Sequence, residues 1–84
     1  MRVRVYFFAF YRDLAGRDEL ELELDAGATA RDAVAALRKD GGGAERIPAD
    51  PVIAVNEVAA QLDTPLAEGD EIALLPPVAG GTSR

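Results

Sequence analysis

The residues best placed to do chemistry in this chain are a pair of glycines near its end, not side-chain nucleophiles. Gly80-Gly81 comes shortly after Pro76-Pro77, which follows the patterned segment 71–75 directly. Two residues without side chains let an extended chain enter a channel too narrow for any Cβ atom. The plainer reading of the pair is a flexible tail. Neither proline has an N–H to donate, so Pro76-Pro77 ends strand pairing, and it can also hold the residues beyond it away from the body of the domain. Placed there, Gly80-Gly81 becomes the segment to single out first.

Side-chain chemistry is scarce by comparison. The chain has no cysteine and no histidine, which removes Ser-His and Cys-His nucleophile arrangements, the usual zinc ligand sets and any disulfide framework. No metal site is expected. Glu19, Glu21 and Glu23 alternate with leucines, the pattern of a solvated strand face rather than of paired acid/base carboxylates. Gly41-Gly42-Gly43 lacks the following Lys-Ser/Thr and the strand-to-helix placement of a phosphate-cradling loop. Fifteen acidic against nine basic residues give a net charge of −6. That balance excludes nonspecific binding to phosphate backbones and favours a protein partner with a basic docking face. Met1-Arg2-Val3-Arg4 leads straight into a patterned strand rather than into a signal peptide, and no apolar run approaches membrane-spanning length, so a cytoplasmic protein is expected.

The elements that must position the tail are set by periodicity. Residues 3–10 are aromatic and β-branched, with Val3, Val5, Phe7 and Ala9 on one face and Arg4, Tyr6, Phe8 and Phe10 on the other. A turn around Ala15-Gly16-Arg17 leads to residues 19–24, where Leu20, Leu22 and Leu24 alternate with the glutamates; the short interval predicts an antiparallel hairpin. Thr29 followed by Asp32 fits a capping box, and Ala30, Ala33, Val34 and Leu37 recur on one helical face until the triple glycine. Residues 40–51 are read as a loop with no regular element. Val52-Ile53-Ala54-Val55 is a buried strand, Asn56-Glu57 a tight turn into Val58-Ala59-Ala60, and Glu68-Gly69-Asp70 turns the chain into the last strand, residues 71–75.

The order predicts an α+β domain, a mixed sheet of about five strands with one main helix packed across one face. A chain of 84 residues buries about 60–65% of its unfolded surface, enough for one such domain and no second. Residues 1–77 form the expected domain and 78–84 a flexible C-terminal tail. With one helix, only one face of the sheet is covered. Tyr6, Phe8, Ala73 and Leu75 then either form an exposed apolar patch beside the tail or are covered by the loop at 40–51; the sequence leaves both open.

Three stretches resemble a known family: Phe8-Ala9-x-x-Arg12-Asp13-Leu14-Ala15-Gly16, Ala54-Val55-Asn56, and residues 63–81 with the ending Pro76-Pro77-Val78-x-Gly80-Gly81. Together they are similar to the small subunit of molybdopterin synthase, the MoaD type within the MoaD/ThiS ubiquitin-like sulfur carriers. The resemblance implies a ubiquitin-like β-grasp fold. It implies that a partner activating enzyme of the MoeB type uses ATP to adenylate the Gly81 carboxylate, which a sulfur donor converts to a thiocarboxylate. The large synthase subunit, of the MoaE type, then receives the tail in a heterotetramer and builds the dithiolene of molybdopterin with its own side chains. By the same resemblance Gly80 and Gly81 are the site residues, Phe8, Ala59, Leu75, Pro76, Pro77 and Val78 form the partner interface, and no cofactor is bound by the carrier itself.

Thr82-Ser83-Arg84 depart from this pattern, because with them attached the Gly81 carbonyl is an amide and cannot be adenylated. They are an added remnant, a segment that a protease trims, or a sign that this copy is not a carrier. The alternatives to the leading reading are a ubiquitin-like protein modifier joined through Gly81 to lysines, a carrier for thiamine or tRNA thiolation, and a plain β-grasp interaction module.

Overall fold

The computed structural model describes residues 1–75. The expected domain end at residue 77 and the tail at 78–84, with Pro76, Pro77, Val78, Gly80 and Gly81, lie outside the described residues.

Strand β1 (Arg2–Phe7) is followed by a short helix α1 (Ala9–Ala15), strand β2 (Glu19–Glu23), the main helix α2 (Ala30–Lys39), a 3₁₀ turn (Ala44–Arg46) and strands β3 (Val52–Val55), β4 (Val58–Ala60) and β5 (Glu71–Leu75). The sheet order is β2-β1-β5-β3-β4. β1 runs antiparallel to β2, with Arg2 opposite Glu23 and Tyr6 opposite Glu19. It runs parallel to β5, with Tyr6 opposite Ala73 and Phe7 opposite Leu74. β3 is antiparallel to both β5 and β4. The sheet is therefore mixed, with β5 at its centre between β1 and β3.

The predicted helix forms as its pattern requires. Thr29 and Asp32 make a reciprocal capping box, the Thr29 N–H donating to Asp32 Oδ2 at 2.8 Å and the Asp32 N–H to Thr29 Oγ1 at 3.4 Å. Ala30, Ala33, Val34 and Leu37 are buried against the sheet. There they meet Val3, Val5 and Phe7 of β1, Ile53 of β3 and Ile72 and Leu74 of β5 in one core cluster. Alternation then sends Arg4, Tyr6, Glu71, Ala73 and Leu75 to the opposite face.

Two expectations are corrected. β1 stops at Phe7, and Phe8 is the N-cap of α1, so neither Ala9 nor Phe10 belongs to a strand. The aromatic run reads as β by propensity, but tertiary burial wins: Tyr11 and Ala15, one helical turn apart, both enter the core. β1 and β2 do pair antiparallel, and the turn at 15–17 is present with Gly16 at φ 74°, but helix α1 precedes it in the connection. The segment at 40–51 does carry regular structure, because its 3₁₀ turn packs against α1 and α2 and buries Ala44 and Ile47 in the same core.

Candidate functional site

β5 delivers the chain to residue 76, so the site is built around its last residues and the outer face of the sheet. That face divides in two. On the β2 side, Arg2 and Arg4 lie among the β2 glutamates, with Arg2 Nε 3.2 Å from Glu23, Arg4 Nε 3.5 Å from Glu19 and Arg4 Nη2 3.7 Å from Glu21. The hydrogen bond and charge of Glu23, with the charge of Glu21, raise the Arg2 guanidinium above its ordinary value. These glutamates form a solvated charge ladder between strands, each pair contributing little to stability.

The other half is apolar. Reading across the strands, Tyr6 stands beside Ala73, Ala73 beside Ala54, and Ala54 beside Ala59; one step along, Leu75 stands beside Val52. Phe8 is 48% exposed and Val52 52% exposed, while Tyr6, Ala73 and Leu75 are half-buried. Tyr6, Phe8, Ala73, Glu57 and Glu71 line an open groove of about 360 Å³. None of its lining residues comes from 40–51, so the two readings left open by the sequence resolve in favour of the exposed patch.

The groove's far wall depends on the β3–β4 turn. Asn56 and Glu57 both adopt positive φ, 51° and 70°, the twist that a two-residue hairpin demands. Asn56 ties this turn to the start of β5: its N–H donates to the Glu71 carbonyl at 2.7 Å, its Nδ2 to Asp70 Oδ1 at 2.9 Å, and its Oδ1 accepts from the Glu71 N–H at 3.0 Å. The Tyr6 hydroxyl donates to Glu71 Oε2 at 3.1 Å, fixing the opposite wall.

Of the interface residues named from sequence, Phe8 and Leu75 thus lie on the same apolar half-face. Ala59 is on it too, but two strands away from Ala73, about 10 Å at ordinary strand spacing. Pro76, Pro77, Val78, Gly80 and Gly81 lie outside the described residues. Val52 and Glu57 were missed. Val52 was legible as an outward residue of β3, whereas Glu57 reads from sequence only as part of the turn and reaches the groove through the folded hairpin. Among the described residues no three metal-ligating side chains converge, and no helix is long and apolar enough to cross a membrane.

A domain of this topology, with an exposed apolar half-face beside its last strand and a diglycine later in the sequence, matches the ThiS family over residues 5–81. The chain belongs to the ThiS family. Its relatives include the molybdopterin synthase sulfur carrier subunit of Chlamydomonas reinhardtii, 34% identical over 96% of this chain and all of that protein. That of Escherichia coli K12 is 36% identical over 94% and 99%. Among solved structures, the chain is similar to SAMP1 from Haloferax volcanii (31% identity, TM-score 0.79, 96% and 100% coverage). It also resembles a chain in the complex of subunits 1 and 2 of molybdopterin-converting factor from Helicobacter pylori (30% identity, TM-score 0.67, 96% and 100% coverage). These neighbours bear out the ubiquitin-like β-grasp expected for this ThiS-family chain.

Proposed function

We propose that this chain is the sulfur-carrier subunit of molybdopterin synthase, with the carboxylate of Gly81 as its working group. The observation that carries the reading is the extent of the family match, which runs through the β-grasp domain and ends on Gly81, joined to near-full-length similarity to sulfur carrier subunits.

The chemistry then requires no side-chain nucleophile from the carrier. In an activating enzyme of the MoeB type, a Gly81 carboxylate oxygen attacks the α-phosphorus of ATP and pyrophosphate leaves. A sulfur donor attacks the acyl carbon of the resulting mixed anhydride, a C–S bond forms, and AMP departs with the C–O electron pair. The carrier supplies a chain end narrow enough to enter both active sites, and binds no cofactor itself. The thiocarboxylate is next presented to a large subunit of the MoaE type, whose side chains use the sulfur for dithiolene formation. The Helicobacter pylori complex, in which a chain of similar fold meets subunit 2, supports a large-subunit partner. Phe8, Leu75 and Ala59 supply the docking surface, continued by Pro76, Pro77 and Val78 toward Gly80 and Gly81. The working assembly is a cytoplasmic heterotetramer, and Thr82-Ser83-Arg84 must be absent when adenylation occurs.

Intact mass spectrometry of the chain ending at Gly81, with ATP, the activating enzyme and a sulfide source, tests this. A mass gain equal to the exchange of one oxygen for sulfur is expected. A chain that never gains it under conditions where a known carrier does is not a sulfur carrier. Similarity to the small archaeal modifier protein 1 of Haloferax volcanii favours one second reading, a protein modifier, and that reading is distinguished by isopeptide-linked products in place of a free thiocarboxylate.

A further inference from the structure

The apolar half of the outer face carries two acids that no cation among the described residues pairs with. Every glutamate of β2 lies within reach of an arginine of β1. Arg4 is also the register partner of Glu71, yet its guanidinium lies with β2, and Glu71 receives the Tyr6 hydroxyl instead. Among the described residues neither Glu57 nor Glu71 forms an ion pair, although both border the groove walled by Tyr6, Phe8 and Ala73.

We propose that Glu57 and Glu71 form a cation-receiving subsite on this groove, selecting a large subunit whose docking segment presents an arginine or lysine beside an apolar side chain. The proposal rests on the reading of this face as the carrier's docking surface, and adds to it the side chains that choose the partner. An apolar anchor seated against Tyr6, Phe8 and Ala73 carries its basic neighbour toward both carboxylates. Displacing water from the groove strengthens that attraction relative to open solvent. A guanidinium suits the subsite best, since its planar fork can donate to two carboxylates at once. A second copy of this chain is a poor occupant, because each carries a net charge of −6. Glu57 also holds a backbone conformation that glycine would adopt without strain, so its carboxylate is kept against the preference of the turn.

Calorimetric titration of the full chain with its cognate large synthase subunit, at low and high salt, tests the subsite. Glu57→Gln and Glu71→Gln remove charge while leaving an oxygen for the Tyr6 hydroxyl, and their thermal melts should match the parent. Each is expected to weaken binding about 3- to 5-fold at low salt, and Glu71→Lys on the order of 30-fold, with the difference shrinking as salt rises. Unchanged affinity in both glutamine variants, with Phe8→Ala still weakening binding, overturns the subsite and leaves the docking face standing. Phe8→Ala without effect removes the docking face and the subsite together. Arg84 is the one charged side chain among residues 76–84, and Arg84→Ala in the free chain is expected to leave the backbone amide resonances of Glu57 and Glu71 in place. Movement of those resonances assigns the cation to the chain's own tail and overturns the partner assignment.

Discussion

A methyl group on Gly43 would stand 1.9 Å from the carbonyl oxygen of Leu14 and 3.1 Å from its carbonyl carbon. The end of α1 and the start of the 3₁₀ turn therefore approach backbone to backbone, which only glycine permits. Gly43 also has φ 112°; Gly42 has φ 68°, but a methyl group there would meet nothing within 4 Å. The two neighbours separate conformational strain from collision. Gly42→Ala is expected to cost about 1 kcal/mol, and Gly43→Ala about 3 kcal/mol or more, because backbone on both sides must move. Urea unfolding of both variants measures this, and equal costs would mean that the close approach is not maintained.

This contact also marks where the sequence stopped being informative. The face of α2 and the outward and inward sides of β1, β2 and β5 follow from period alone, because each is half covered and its apolar residues repeat at 3.6 or 2. The capping box places the helix start for the same local reason. Helix α1 has no such signal: Phe8, Phe10 and Tyr11 favour strands, and what makes the segment helical is the burial of Tyr11 and Ala15, a tertiary effect. Ile47 sits alone among polar and proline residues, so its complete burial is equally invisible to pattern. The apolar half-face was legible in Tyr6, Phe8, Ala73 and Leu75 as one of two open readings, and the fold resolves it as exposed. Its neighbour Glu57 was not, since only the folded turn brings residue 57 to the groove.

Leu37 is fully buried between α2 and the sheet. Leu37→Ala keeps a strong helix former, so its cost reports packing: about 2–5 kcal/mol for the lost contacts and the cavity. That is a large part of the roughly 5–15 kcal/mol available to a small domain. Val58, 67% exposed at the sheet edge, should lose less than about 0.5 kcal/mol on truncation to alanine. Denaturant midpoints that fail to separate the two would contradict the core assigned around α2.

Tyr11 titrates above the ordinary tyrosine value of 10.0, first because burial disfavours the phenolate and second because of the Asp50 charge. A folded-state value raised above the unfolded one means that the folded chain holds the proton more tightly. The resulting stabilisation is fully present below pH 10 and is lost as pH rises from there through the raised value. The chain has two tyrosines, so Tyr6→Phe leaves Tyr11 as the sole reporter. Tyrosinate absorbance of that variant should appear at higher pH in buffer than in concentrated urea, and Asp50→Asn should narrow the gap. Coincident curves would show that the phenol is not held in the core.

Glu57→Gly separates the energetics of the β3–β4 turn from its recognition role. Glu57 has φ 70° in the second position of a two-residue hairpin turn, where a Cβ atom costs about 1 kcal/mol and glycine none. Glycine is also more flexible in the unfolded chain, which returns part of that gain, so a net stabilisation of about 0.5 kcal/mol is expected by thermal or urea unfolding. The same substitution removes a carboxylate from the groove and should weaken docking to the large subunit by the same factor as Glu57→Gln. Opposite signs in the two measurements would place the carboxylate in recognition, since a purely structural residue cannot lose its contribution while the fold gains stability. A variant that is both more stable and undiminished in docking would leave Glu57 with no role at this face.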